Sequence, residues 1–402
     1  MATTATAPSS LTPHTSHLAP WYLSAVVLAS VSVITGLIWD ISWHRTIGRD
    51  TFWTPAHMAI YLGGVLAGCS SGWLVLKTTF AGTVGERAAS VSFWGFRGPL
   101  GAWVCIWGSF AMLTSAPFDN WWHDAYGLDV TILSPPHAVL GMGIAGIQIG
   151  AILLTLAAQN RSLGLGTGGL GPTATPQSPI PNPQSLSWLF IISAGILVTM
   201  HAVMTMEYNF TNQMHSAPFY RIAGIVFPIV LVAAGRAGRV RYPAATTAAV
   251  YMGVLLVMIW LLQLFPAEPG LAPITHPVDR MVPPHFPLLL VAPAFAIDLL
   301  LRRFEKRNDW LLAVILGAAF VGILLAVQWF FADFLLSPAA RNPVFAAGQW
   351  GYNEGPGDWY YRYWAEGTSG DLLKGLGVAH LIAAVSSRIG LWMGAWMTRV
   401  HR

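Results

Sequence analysis

Long apolar runs recur along the chain, separated by short polar connections. A bilayer core needs roughly 20 consecutive apolar residues per helix, and by that measure the pattern predicts about ten membrane spans. They fall near 20–41, 55–77, 97–117, 135–158, 187–207, 216–235, 243–265, 283–301, 309–332 and 373–397. The expected fold is an all-α, polytopic helical bundle built from repeated helix pairs. Residues 1–19 are rich in Thr, Ser, Ala and Pro and hold no Lys, Arg, Asp or Glu. They lack the basic start of a signal peptide and read as a flexible tail. The Gly/Pro/Ser/Gln-rich stretch 159–186 reads as a linker between a front bundle, 20–158, and a rear bundle, 187–402.

Composition supports this reading and narrows the function. Only 9% of the 402 residues are charged, against roughly 25% in soluble domains, and the mean hydropathy is +0.55. A plasma (inner) membrane location follows, with the lipid bilayer as first partner and other membrane subunits or a second copy as further ones. The 19 tryptophans suit aromatic belts at the two interfaces. The net charge of +4 comes from residues scattered over short connections, which argues against nucleic-acid binding. Cys69 and Cys105, the two cysteines, both sit in apolar segments, so neither a disulfide framework nor a thiolate metal site is expected. Phosphate-binding glycine loops, dinucleotide fingerprints and nucleophile elbows are absent from the sequence.

Lys and Arg set the expected orientation. Connections after even-numbered spans hold Lys77, Arg87, Arg97, Arg161, Arg236, Arg239, Arg241, Arg302, Arg303, Lys306 and Arg307. These read as cytoplasmic, and both termini with them. The acidic and imidazole groups then face outward, as does the connection 333–372, with Trp350, Tyr352, Trp359, Tyr360, Tyr361, Tyr363 and Trp364. That connection reads either as an aromatic segment lying on headgroups or as a lid over the outward groups.

The densest chemistry lies between the first two spans. Asp40 and His44 are one helical turn apart and share a face. Thr54 reads as an N-cap, Pro55 as the first helical residue and His57 as a first-turn position. A carboxylate and an imidazole from one helix end thus meet an imidazole from the next helix start. A helix C-terminus disfavours a bare carboxylate, and a helix N-terminus keeps an imidazole neutral, the form that ligates. Two imidazoles and one carboxylate suit copper, zinc or non-haem iron. The bland alternative is a helix-end hydrogen-bond network.

The pattern occurs twice. Phe118 to Asp129 aligns with Trp39 to Asp50, and Ser134-Pro135-Pro136-His137 mirrors Thr54-Pro55-Ala56-His57 with one residue inserted before it. Asp119, His123 and His137 form the second ligand set, with Asp50 and Asp129 as groups that orient the imidazoles. The rear half repeats the theme faintly in Glu207 and His215, and in Glu268, His276, Asp279 and His285. His201 and His380 lie within spans, where a neutral histidine bonded to a neighbouring helix is the expectation and function the alternative. His201, Met204 and Met206 also admit a soft Cu(I) reading beside ordinary packing. Asp298 and Arg388 are expected to snorkel from cytoplasmic helix ends.

Residues 40–61 resemble the copper-ligand region of the C subunit of particulate methane and ammonia monooxygenases. Asp40, His44 and His57 fall on that family's Asp-x3-His-x12-His spacing, and Trp43-His44, Arg49-Asp50-Thr51 and Thr54-Pro55-x-His57 are similar to its text. The resemblance implies an outward membrane copper and a monooxygenase-type subunit that oxidises a small apolar substrate with electrons from a quinol or a partner. It names no catalytic residue beyond the metal ligands, and the duplicate around Asp119 is not part of it. A multi-pass transporter or a metal-handling or assembly factor is the alternative, because repeated helix pairs with polar groups near the interface are a transporter habit. A third reading is an accessory subunit with structural histidines.

Overall fold

Prolines open many of the helices and small residues let them touch. The computed structural model describes residues 19–48, 52–127, 134–163, 182–304, 307–355, 357–364 and 368–401, apart from the side chains at 358 and 359. The helices are α1 (Trp21–Thr46), α2 (Pro55–Ala81), a short α3 (Val84–Ala88), α4 (Leu100–Tyr126), α5 (Pro135–Ser162) and α6 (Pro183–Met204). There follow α7 (Ala217–Ala237), α8 (Pro243–Leu262), α9 (Val291–Arg303), α10 (Asp309–Leu336) and α11 (Ser369–Met397). Nine of those described are long and apolar enough to cross a bilayer. The chain is an all-α polytopic bundle.

Several expectations need correcting. The span predicted at 97–117 is a longer helix, α4, because Asp119 to Tyr126 continue it past its apolar part. The predicted outward connection 333–372 begins inside α10, which runs to Leu336, and ends inside α11. The span at 283–301 is helical only from Val291. Pro283, Pro284 and Pro287 lack N–H donors and push the preceding residues out of the helical region, so 282–289 has no regular secondary structure. A non-helical backbone inside a bundle must find partners. Thr46 Oγ1 accepts from Val282 N at 2.8 Å, and Ser42 Oγ donates to Val282 O at 2.6 Å. Leu288 N donates to Tyr251 OH at 2.9 Å and Leu289 N to Gln328 Oε1 at 3.0 Å.

Sequence periodicity did not predict the antiparallel hairpin of β1 (Val91–Phe93) and β2 (Phe96–Gly98) between α3 and α4. Its two-residue turn, Trp94-Gly95, has positive φ at both positions, the handedness that suits a tight hairpin. Asp298 does not snorkel. It is 2% exposed and accepts from Ala244 N and Ala245 N at the start of α8, where helix N–H groups lack internal partners. Arg388 packs its guanidinium 5.0 Å from the Trp310 ring centroid.

The internal repeat extends into packing. A Cβ on Gly63 of α2 would stand 2.7 Å from Ala29 O and 3.1 Å from Val33 N of α1. A Cβ on Gly143 of α5 would stand 2.8 Å from Gly108 O and 2.6 Å from Met112 N of α4, the equivalent positions. Glycine permits this backbone approach in both pairs, as is usual for helices associating in lipid. One core cluster then joins front and rear: Val33, Ile60, Met112 and Ile144 belong with Phe227, Tyr251 and Phe320.

Candidate metal centre

α1 continues beyond its apolar part, so Asp40 and His44 both lie on its last turns. The start of α2 is built as its sequence suggests. Thr54 accepts from His57 N at 3.1 Å, and Pro55 occupies the first turn, where its missing N–H is not needed. These two helix ends bring His57 Nε2 to 3.0 Å from Asp40 Oδ1 and His44 Nε2 to 3.7 Å from Asp40 Oδ2. Among the described residues, this is the group whose three ligand atoms all lie within 4.8 Å of one another.

The tautomer of His57 decides what the group can hold. Its Nδ1 lies 3.0 Å from Phe52 O. A carbonyl only accepts, so Nδ1 carries the hydrogen. In the neutral ring Nε2 then presents a lone pair to a carboxylate oxygen 3.0 Å away. Asp40 Oδ1 is shut off from solvent and receives no hydrogen bond. Two facing lone pairs require a proton or a cation between them, and a carbonyl behind the imidazole is the arrangement that orients a metal-binding histidine.

The second set has the same parts in a wider arrangement. Asp119 Oδ1 lies 3.2 Å from His123 Nε2 and 3.5 Å from His137 Nε2. His123 Nδ1 lies 3.2 Å from Gly127 O, which again directs the Nε2 lone pair at the carboxylate. Ser134 caps α5 by accepting from His137 N at 3.4 Å. Both imidazoles approach one oxygen here, whereas Asp40 offers one oxygen to each. Asp50 and Asp129 lie outside the described residues.

Both sets open into one cavity of about 1260 Å³, together with Glu207 and His285. The connection between α10 and α11 supplies part of its wall through Trp350, Tyr352, Glu354, Tyr360, Tyr361 and Trp364, so this segment shares the chamber with the acidic and imidazole groups. It is tied down at α1: Arg45 pairs with Glu354 at 3.2 Å, and Tyr352 N donates to Arg45 O at 3.0 Å. Sequence reasoning missed Arg45. Its place directly after His44 was the available signal, but its partner lies far along the chain.

The fainter rear-half sets do not assemble. His215 is stacked between Trp329 and Tyr363, with ring centroids 3.8 and 3.6 Å away, and its Nε2 bonds Trp329 O at 3.0 Å. His276 N donates to Tyr352 O, and Asp279 O accepts from Ala267 N. Neither residue lines the cavity, while His285 packs edge-on against Phe210. His201 and His380 bond through Nδ1 to Leu197 O and Leu376 O of their own helices, at 2.7 and 2.8 Å, rather than to a neighbouring helix.

No family model, curated protein or solved structure matches the chain.

Proposed function

We propose that this chain is a membrane metalloprotein that binds copper at Asp40, His44 and His57, as a subunit of the membrane-monooxygenase kind. The observation that carries the metal is the convergence of one ligand atom each from Asp40, His44 and His57 within 4.8 Å of one another, with His57 oriented by the Phe52 carbonyl. Copper is preferred over zinc or iron on the resemblance of residues 40–61, since two imidazoles and a carboxylate suit all three. Bound copper would supply redox activation of dioxygen. The chain's own residues do the rest. Asp40 joins the two imidazoles, and Thr54 fixes His57 at its helix start. Asp119, His123 and His137 hold a second, looser cation. The sites face outward, both termini are cytoplasmic, and electrons come from a quinol or a partner subunit.

Purified protein should contain copper in excess of zinc, and His44→Ala should lose roughly one equivalent, because two remaining ligands make a weak site. Full metal retention in His44→Ala, with an unchanged EPR spectrum, overturns the assignment. One observation favours a second reading, a metal transporter. The segment 282–303 is a discontinuous element, irregular then helical, of the kind that lines transport paths. Metal uptake by proteoliposomes that His44→Ala abolishes would select it.

A further inference from the structure

Several cations at the Lys- and Arg-rich end of the bundle already have polar partners. Lys77 pairs with Glu86 at 3.6 Å, Arg236 pairs with Asp309 at 3.1 Å, and Arg161 donates to His401 O at 3.0 Å. Arg241 and Arg302 differ. Their guanidinium carbons lie 5.2 and 4.6 Å from the centroid of one ring, Tyr242, the residue before α8. Among the described residues, no hydrogen bond or ion pair engages either guanidinium. Asp298 stands one turn before Arg302 on α9, but its two oxygens are taken by Ala244 N and Ala245 N.

A neutral phenol attracts a guanidinium and leaves its charge in place. Two guanidiniums on one ring stand less than about 10 Å apart, roughly one Debye length at 0.1 M salt, so they repel each other. The surrounding segments, 239–242 and 298–307, hold six basic residues against Asp298 and Glu305, the latter outside the described residues. An anion relieves this repulsion, and the guanidinium fork matches the paired oxygens of a phosphate.

The same ring adjoins an apolar track. The ring centroids of Tyr242 and Phe295 are 5.0 Å apart. Phe295 and Leu299, one turn apart on α9, are 42% and 45% exposed, and Arg302 and Arg303 continue the same face. Phe295 precedes Arg302 by seven residues, so at 1.5 Å rise per residue the track runs about 10 Å from the charges toward the middle of the bundle. A free anion uses none of this surface, whereas an acyl chain covers it. A head that carries its own ammonium brings a further cation into the basic cluster, so a net negative head is selected.

We propose that Arg241 and Arg302 bind the phosphate of one anionic phospholipid, whose acyl chain lies along Phe295 and Leu299. Basic sites between membrane helices hold anionic heads in this way. The metal assignment plays no part in the inference.

The test uses the delipidated full chain in detergent, with dioleoylphosphatidylglycerol as probe, read by native mass spectrometry and thermal unfolding. Wild type should retain one molecule at least about tenfold more tightly than dioleoylphosphatidylcholine, and should melt at a higher temperature with it bound. The preference should shrink in about 0.5 M salt. Arg241→Gln with Arg302→Gln should weaken the lipid about tenfold or more, as loss of hydrogen bonds to a charged group does, and should abolish the thermal shift. Arg241→Lys with Arg302→Lys should fall between, because the charge stays and the fork goes. Arg87→Gln with Arg97→Gln removes the same charge from two exposed residues at the same end, and should bind like wild type. Millimolar inorganic phosphate should not displace the lipid. Equal retention of the two lipids by wild type would overturn the proposal, as would full affinity in the Arg241 and Arg302 double variant, an equal loss in the control pair, or displacement by inorganic phosphate. The comparison of the two lipids needs no variant, so it decides the matter even where a variant fails to fold.

Discussion

Gly36 sets the spacing between the two helix ends that carry the first ligand set. It lies one turn before Asp40 on α1, opposite Ala56 and Ile60, which flank His57 on α2. A Cβ at Gly36 would stand 2.8 Å from Ile60 Cγ1, 2.9 Å from Ile60 N and 3.1 Å from Ala56 O. The first contact is a side chain that can turn away, but the other two are backbone. Comfortable contacts begin at about 3.5 Å, so Gly36→Ala must part α1 and α2 by roughly 0.5 Å. Metal–ligand distances tolerate only about 0.2 Å. Overpacking of this kind costs about 1–3 kcal/mol of stability, and disturbing the groups that position ligands typically costs about 10–100-fold in metal affinity. Chelator competition on purified protein reads the affinity, and thermal unfolding reads the stability. Gly72→Ala is the control, since a Cβ there meets nothing within 4 Å. Ile60→Ala added to Gly36→Ala should restore little, because the backbone contacts remain. If Gly36→Ala lowers stability but binds metal like wild type, helix spacing does not control the site and the reasoning fails.

Three further outcomes are expected. His123→Ala should lose a second, more weakly held equivalent of metal independently of His44→Ala, with losses that add as they do for separate sites; unchanged metal content would make the second copy scaffold. Trp53 is 69% exposed beside the first set, so Trp53→Cys in a Cys69→Ala background should react with an impermeant thiol reagent in intact cells, whereas labelling only after lysis would reverse the orientation. Thr46→Val should strand Val282 N–H inside the bundle and cost about 1–3 kcal/mol in thermal unfolding, and no loss would mean that water replaces the hydroxyl.

The all-α bundle was legible because apolar run length in a bilayer is a local property. So were the approach of Asp40, His44 and His57 and the caps at Thr54 and Ser134, since each depends on residues a few turns apart. What the sequence withheld is long-range or conformational. The prolines at 283, 284 and 287 announced a break, yet apolar content alone extended the helix through them. Arg45 and Glu354 meet across most of the chain, and His215 finds Trp329 and Tyr363 only after the helices pack. The duplicate motif gave two identical lists of ligand types, but only coordinates show one carboxylate offering two oxygens and the other offering one.

The hydroxyls of Ser42 and Thr46 stitch the end of α1 to the irregular segment at Val282. The matching positions at the end of α4 are Trp121 and Ala125, neither of which carries a hydroxyl. The first helix end is therefore tied by two hydroxyl contacts that the sequence of the second copy does not offer at the matching positions. A cage that cannot relax discriminates between ions by radius and bond angle. A cage free to relax gives up that discrimination and exchanges its contents faster. On the metal reading proposed above, the tied helix end would retain its ion and the untied one would exchange it, with the same three ligand types in each.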